Sequence, residues 1–367
     1  MVKQAPRIAV IMPRAMHFGP EEASSIDLCV HDFVMHSRFQ SNTTIFADWL
    51  QAPYRDCDVQ LVPEFYSRRH LTRHFWLWRK LRSLQPDIIV VQQHLPTAAM
   101  LARLMPKTPV LVHAHNFLKV REGGAKASGD PRIATLAGVI CVSHTVETAF
   151  REDYPELSIP SWTIHNGLDI SDWRPVAERD RTVLLVSRSA PFKGVMEALD
   201  AMLAVLPRYP EWSGMLMLSN AAQPDFHARV SDRLQQSGNT HVALLWQQPF
   251  EVVKQRTERA AIALVPSIWI EPYGRTALEA HAGGAALISS GRGGLREISG
   301  EAALFVEEVN NRTIAEAIET LIRDEPLRKS LAEQGHRRSA ELFDIGAVTA
   351  RLDAVYEDVL RRRGGQA

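Results

Sequence analysis

Short apolar runs separated by segments of helical period recur along the chain. In the first half, "RIAVIMP" (7–13), "DVQLV" (58–62), "DIIVVQ" (87–92), "PVLVHAH" (109–115) and "GVICVS" (138–143) read as buried strands. Their near-continuous Val and Ile content fits parallel strands covered on both faces. Helical patterns near 21–37, 71–84, 96–105 and 144–152 separate them. This alternation predicts an open α/β sheet.

A second series follows the turn-rich stretch "IHNGLDISDWRPVAERDR" (164–181). Its strands are "TVLLVS" (182–187), "GMLMLS" (214–219), "HVALLW" (241–246), "AIALVP" (261–266) and "AALISS" (285–290). Helices are expected near 194–206, 225–236, 250–258, 275–282 and 311–322. The chain therefore reads as two doubly wound, Rossmann-like domains, 1–170 and 171–343, with no internal sequence repeat between them. Helices near 326–341 and 346–363 form the tail. On the last of them Val348, Leu352, Val355, Tyr356 and Val359 recur at helical spacing. Open α/β sheets bind ligands beyond the carboxyl ends of their strands, so the strand-to-helix turns are the places to look for chemistry.

Composition narrows the function classes. The 367 residues are 46% hydrophobic and 23% charged, ordinary values for a globular protein. Formal net charge is zero, which removes a global electrostatic case for nucleic acid. Cys29, Cys57 and Cys141 are widely spaced and form no CxxC pair, and a reducing cytoplasm fits them best. The N-terminal apolar run is short for a signal peptide, and no stretch approaches the roughly 18 apolar residues of a membrane span. A soluble protein, or one attached at most to a membrane surface, is expected.

Four stretches carry candidate chemistry. In "SIWIEPYGRTALEAHAGG" (267–284), Glu271 and Glu279 stand eight residues apart. Gly274, Arg275 and Thr276 open a helix whose first-turn N–H groups form an anion site suited to phosphate. Glu279 can accept from two adjacent hydroxyls, as on a ribose, and Glu271 from a second sugar. Alternatively, Glu279 pairs with Arg275 at i,i+4, worth about 0.2–0.5 kcal/mol. In "LLVSRSAPFKGVMEAL" (184–199), Arg188 and Lys193 bracket a strand-end turn, suited to a diphosphate or simply a solvated basic turn. In "VHAHNF" (112–117), His113 and His115 share a strand face, but no third ligand follows at metal-site spacing. Finally, 65–86 carries Arg68, Arg69, Arg73, Arg79, Lys80 and Arg82 and no acid. Leu71, Leu77, Trp78, Leu81 and Leu84 are its expected core face, with Phe75 and Trp76 among the cations. This helix reads as a contact for an anionic membrane, as a site for an anionic acceptor, or as a plain basic surface. "DCD" (56–58) is given no metal role.

Taken together, these motifs resemble a retaining glycosyltransferase of the GT-B fold, similar to glycosyltransferase family 4. The resemblance rests on "HN" (115–116), "GVICVS", "IHNGLD" (164–169), "SRSAPFKG" (187–194), "EPYGRTALEA" and "GRGGLREI" (291–298), in that order. In motif form it is nearest to bacterial transferases of lipopolysaccharide core and envelope glycans, several of them mannosyltransferases. The resemblance implies two Rossmann-like domains facing across a cleft, with 344–367 returning to the N-terminal one. It implies a nucleotide-sugar donor, GDP-mannose or a UDP-hexose, and a glycan or lipid-linked acceptor at the cytoplasmic face. No cofactor or metal is expected. Arg188, Lys193 and the backbone of Tyr273, Gly274, Arg275 and Thr276 would hold the diphosphate. Glu279 would bind the ribose, and Glu271 and His115 the transferred sugar. Gly19 lies where the family's first-strand loop approaches the diphosphate, although "HFGPEE" (17–22) replaces the usual adjacent glycines there. Related readings are a GT-B epimerase or phosphorylase, or a degenerate nucleotide-sugar-binding protein.

Overall fold

A computed structural model describes residues 5–16, 18–20, 24–48, 52–118, 133–219 and 224–364. Contacts divide the chain into two units. The first runs to Gly167 and takes up the chain again from Ile345; the second is Leu168–Asp344.

In the first unit, seven strands form a parallel sheet. They are β1 (Ile8–Ile11), β2 (Thr43–Asp48), β3 (Asp58–Val62), β4 (Ile88–Gln92), β5 (Val110–Ala114), β6 (Gly138–Cys141) and β7 (Ser161–Thr163), in the order β3-β2-β1-β4-β5-β6-β7. Helices α1 (Ser25–His36), α2 (Glu64–Ser67), α3 (His70–Leu84), α4 (Leu95–Leu104) and α5 (His144–Asp153) connect them. The order reverses between β1 and β4, which creates a switch point at their carboxyl ends. The strand "TTIFAD" at β2 escaped the apolar-run reading because threonines open it and an aspartate closes it. All six residues are nevertheless buried, and its β-branched and aromatic content is that of a strand.

In the second unit, β8 (Asp180–Arg188), β9 (Ser213–Ser219), β10 (Val242–Trp246), β11 (Ala260–Val265), β12 (Ala286–Ser289) and β13 (Ala303–Phe305) form a parallel sheet. Its order is β10-β9-β8-β11-β12-β13, with a second switch point between β8 and β11. The helices are α6 (Val195–Val205), α7 (Pro224–Ser237), α8 (Phe250–Arg259), α9 (Arg275–Ala282), α10 (Gly294–Ser299), α11 (Asn311–Arg323) and α12 (Glu325–Phe343). A core of β8, β9, β11 and β12 side chains closes against α6 and α11 through Leu199, Met202, Ile314 and Ile318.

The last helix, α13 (Ile345–Gly364), belongs to the first unit. Ile345, Val348, Leu352, Val355, Tyr356 and Val359 join Ile8, Val10, Phe33 and Ile45 in its core. Asp353, also buried, accepts from Ser37 Oγ at 2.6 Å and Arg38 N at 3.0 Å, which ties α13 to the end of α1.

Helix α3 corrects one expectation. Leu71 is 78% exposed, and the core face is Arg73, Leu77 and Leu81, spaced i, i+4, i+8. Trp78 and Leu84 are only half-buried. Arg73 is 2% exposed; its Nε donates to Asp48 Oδ1 at 2.7 Å and its Nη2 to Met12 O at 2.8 Å. The guanidinium thereby pins α3 to the carboxyl ends of β1 and β2. Arg73→Ala leaves Asp48 buried without this partner and is expected to destabilise the first unit by about 3–5 kcal/mol. Urea unfolding followed by circular dichroism checks this, and a loss below about 1 kcal/mol contradicts it.

Candidate active site

The second unit's switch point gathers most of the candidate residues. Strand β8 ends at Arg188, and a single 3-10 turn, Pro191–Lys193, precedes α6. Phe192 O accepts from Ile268 N at 2.9 Å, Trp269 N at 3.3 Å and Ser267 Oγ at 3.3 Å. The turn after β8 is thus laced to the loop after β11. Gly194, at φ +70°, permits this approach, since a Cβ there would stand 2.1 Å from Pro266 O.

The lacing brings together side chains 78 residues apart: Lys193 Nζ lies 2.5 Å from Glu271 Oε1. Both are largely shielded, at 18% and 8% side-chain exposure. Arg188 is exposed, and its guanidinium and Lys193 Nζ each lie 5.9 Å from the Phe192 ring centroid. Two cations therefore flank one aromatic ring at the end of β8.

Glu271 is also held through its backbone. It bridges Gly293 in parallel, and its carbonyl accepts from Gly294 N at 2.8 Å. This is the structural work of "GRGG", to which the sequence reading gave no role of its own. Arg292 Nη1 donates to Ile268 O in the same loop. Tyr273 is buried, and Gly274 caps α9 at φ +110°, where a Cβ would meet Leu295 Cδ2 at 2.4 Å. The helical ladder begins with Ala277 N and Leu278 N on Gly274 O, and the preceding N–H groups of a helix have no intrahelical acceptor.

Arg275 Nε lies 2.9 Å from Glu279 Oε1, so the i,i+4 pairing considered from sequence does form. Thr276 and Glu279 also line a narrow crevice with Val186 and Val265, at the ends of β8 and β11. At the far end of α9, Arg179 donates to Gly283 O at 2.6 Å and to Ala260 O at 2.7 Å. Burial lowers the Arg179 pKa to about 10.

Gly19 and His115 belong to the first unit. Gly19 is buried; His17, Glu21 and Glu22 of "HFGPEE" lie outside the described residues. His115 Nε2 is 2.7 Å from Gln92 Oε1, while Gln93 Oε1 accepts from His115 N and Asn116 N, both at 2.8 Å. Burial lowers the His115 pKa to about 3. His113 stacks on it at 4.4 Å, is 2% exposed, and has a buried Nε2 with no hydrogen-bond partner. Burial and the neighbouring His115 push its pKa well down. His113 is therefore a core residue, and only His115 of the pair is partly exposed.

Asp56 and Asp58 of "DCD" do not converge. Asp58 accepts from Thr44 Oγ1 at 2.7 Å. Asp56, Cys57 and His31 form the one group of three possible metal ligands among the described residues. His31 Nε2 is 2.9 Å from Asp56, and burial beside Asp56 pushes the Cys57 thiol up to about 12, away from the thiolate a metal takes.

Known proteins agree with this architecture. Residues 35–172 match the family described as Glycosyltransferase Family 4, and residues 170–338 the family Glycosyl transferases group 1. The putative glycosyltransferase YtcC of Bacillus subtilis is 21% identical over 78% of this chain and 76% of its own. The lipopolysaccharide core biosynthesis mannosyltransferase LpsB of Rhizobium meliloti is 23% identical over 56% of this chain and 63% of its own. The crystal structure of Anabaena HepE in complex with UDP-glucose superposes with a TM-score of 0.77 at 17% identity, covering 96% of this chain and 99% of that one. Two parallel α/β units, the strand-end turns of the second unit and these two consecutive family matches make this chain a family 4-like glycosyltransferase of the GT-B fold.

Proposed function

We propose that the chain transfers a hexosyl group from a UDP-hexose or GDP-mannose, with retention and without a metal, to a bacterial envelope glycan or lipid-linked acceptor at the inner face of the cytoplasmic membrane. The observation that carries this reading is the Lys193–Glu271 pair, set 2.5 Å apart at a switch point beside the first turn of α9. One cation and one carboxylate held side by side suit a ligand with an anionic diphosphate and a hydroxyl-rich sugar. Arg188, Lys193 and the backbone from Tyr273 to Thr276 would bear the charge released as the diphosphate leaves, the largest kind of contribution a preorganised site makes. Glu279 takes the ribose and Glu271 the transferred sugar. Gly19 and His115 are proposed contributors to the same reaction. The UDP-glucose bound by HepE favours a UDP-sugar donor, and the mannosyl transfer named for LpsB keeps GDP-mannose in the test.

A thermal-shift panel of nucleoside diphosphates and their sugars tests the reading. A true donor at a hundred times its Kd adds about 2.7 kcal/mol of apparent stability. No shift with any nucleotide overturns it. With the donor known, Glu279→Gln is expected to raise donor KM about tenfold while kcat changes little, because a contact to the ribose is made equally before and during the reaction. Turnover should persist in excess EDTA, and the product should keep the donor's anomeric configuration by NMR.

A further inference from the structure

Helix α3 presents two neighbouring stripes that the transfer reaction does not use. His70 and His74, spaced i,i+4, stand beside His94, the N-cap of α4. The His70 ring lies 5.8 Å from that of His94, stacked at 13°, and 6.1 Å from that of His74. Thr97 Oγ1 bonds both His74 Nε2, at 2.9 Å, and His94 Nδ1, at 2.7 Å. Each of these two rings keeps its other nitrogen without a hydrogen-bond partner among the described residues. Burial and neighbouring cationic groups, Arg73 and His70 chief among them, lower the pKa of His74 to about 4 and lower that of His94 as well. Three imidazoles thus converge near arginines, a setting that an added anion would relieve. The second stripe, next to the first on the helix surface, is apolar and open to solvent: Leu71 is 78% and Phe75 54% exposed, and Phe65 on α2 is 72% exposed. Phe75 abuts Trp78, over which Arg82 lies at 5.1 Å. Of the six cations between 65 and 86, Arg73 is buried against Asp48 and Arg68 pairs with Glu64 at the start of α2, which leaves Arg69, Arg79, Lys80 and Arg82 exposed. No described helix is long and apolar enough to cross a membrane.

We propose that α2 and α3 seat on an anionic phospholipid surface, with His70, His74 and His94 taking a lipid phosphate and Phe65, Leu71 and Phe75 entering the acyl boundary. The occupant follows from the pairing of chemistries. A soluble phosphate needs the imidazoles and not the exposed phenylalanines, whereas a lipid offers an anion and an apolar chain side by side. This deepens the transfer reading by placing the surface at which a lipid-linked acceptor is met, and it rests on that reading for the acceptor only.

The test is co-sedimentation of the full chain with phosphatidylcholine vesicles, with and without a minority of phosphatidylglycerol. Binding is expected only with phosphatidylglycerol. The double variant Leu71→Ser with Phe75→Ser should weaken it at least about tenfold, and His70→Ala with His94→Ala about tenfold. Melting curves of both variants confirm folding. Equal binding to both vesicle types, or wild-type binding by both variants, overturns the proposal. So does inorganic phosphate that shifts the imidazole NMR signals of a protein that ignores vesicles, because the cluster then serves a soluble phosphate. The nucleotide thermal-shift panel is read separately, so failure of the donor site and failure of membrane docking are distinguishable.

Discussion

Lys193→Ala is expected to lower kcat about 10²–10³-fold, the usual loss when one preorganised group facing developing charge is removed. Lys193 comes from the turn after β8 and its carboxylate partner from the loop after β11, and backbone bonds to Phe192 O hold the two turns together. The alanine variant has a second effect. Glu271, at 8% side-chain exposure, loses the ammonium 2.5 Å away, and stranding a shielded charge destabilises the local structure. A second variant separates the two. Lys193→Met combined with Glu271→Gln fills the same space with neutral groups, so its melting temperature should stay near that of the wild type while turnover is lost. Turnover is measured at saturating donor. Wild-type kcat in either variant removes Lys193 from the reaction, and lost turnover only in variants that also unfold reduces it to a structural role.

The other large effect is on stability in acid. Burial holds His115 and His281 neutral, with pKa values of about 3, and His113 is pushed down in the same direction. An unfolded histidine titrates near about 6.5. Below that pH the unfolded chain binds protons that the folded chain does not, so stability falls as pH falls. Each buried ring contributes its full share above about pH 6.5 and loses about 1.4 kcal/mol per pH unit below it, until the folded pKa is reached. At pH 5 this amounts to about 2 kcal/mol for each of His115 and His281. The two lie in different units, so both units should weaken. Urea unfolding at pH 7.5 and pH 5 measures the slope. His281 Nε2 sits 3.1 Å from Ser299 Oγ, and a Cβ on Gly335 would touch its ring, so the site admits little else. His281→Gln should remove one histidine's share of the slope whatever it does to stability at neutral pH. A slope unchanged by that substitution contradicts the account.

The parts of this structure that were legible in sequence are those with a local signature. Val- and Ile-rich runs marked the inner strands, and the apolar spacing from Val348 to Val359 marked a helix with one buried face. β2 was missed because its burial comes from neighbours on both sides, β1 and β3, which a run beginning Thr-Thr does not announce. Three-residue β7 and β13 have too few positions to show a period. On α3, periodicity placed Leu71 inside and left Arg73 among the surface cations. The structure reverses them, because Asp48 and Met12 O, both far away in sequence, make the inward position polar.

At the candidate site, the order of the motifs carried the family, and the helix-opening "PYGRT" was readable as an anion site from its residue types alone. The contact between Lys193 and Glu271 was not readable in the same way. It depends on β8 and β11 being neighbours, a fact of strand order, and on a glycine small enough to let Pro266 O pass. His113 and His115 illustrate the converse. Expected on one strand face, they looked alike in sequence, yet β5 ends at Ala114: His113 stays on the strand as a core side chain, and His115, just past its end, is left within reach of a ligand.

Because α13 supplies Ile345, Val348 and Leu352 to the core built on β1, the first unit is completed by residues that follow the second. On the ribosome, the usual sequence of events, in which the first domain made is the first to fold, is therefore inverted. The second unit has all of its residues once Asp344 has emerged, while the first still lacks one wall of its core. A nascent chain thus carries an open apolar face until residues 345–364 have emerged, and a fragment cut at the first linker carries it permanently. Any separate production of the first unit has to join residues 345–364 back onto it.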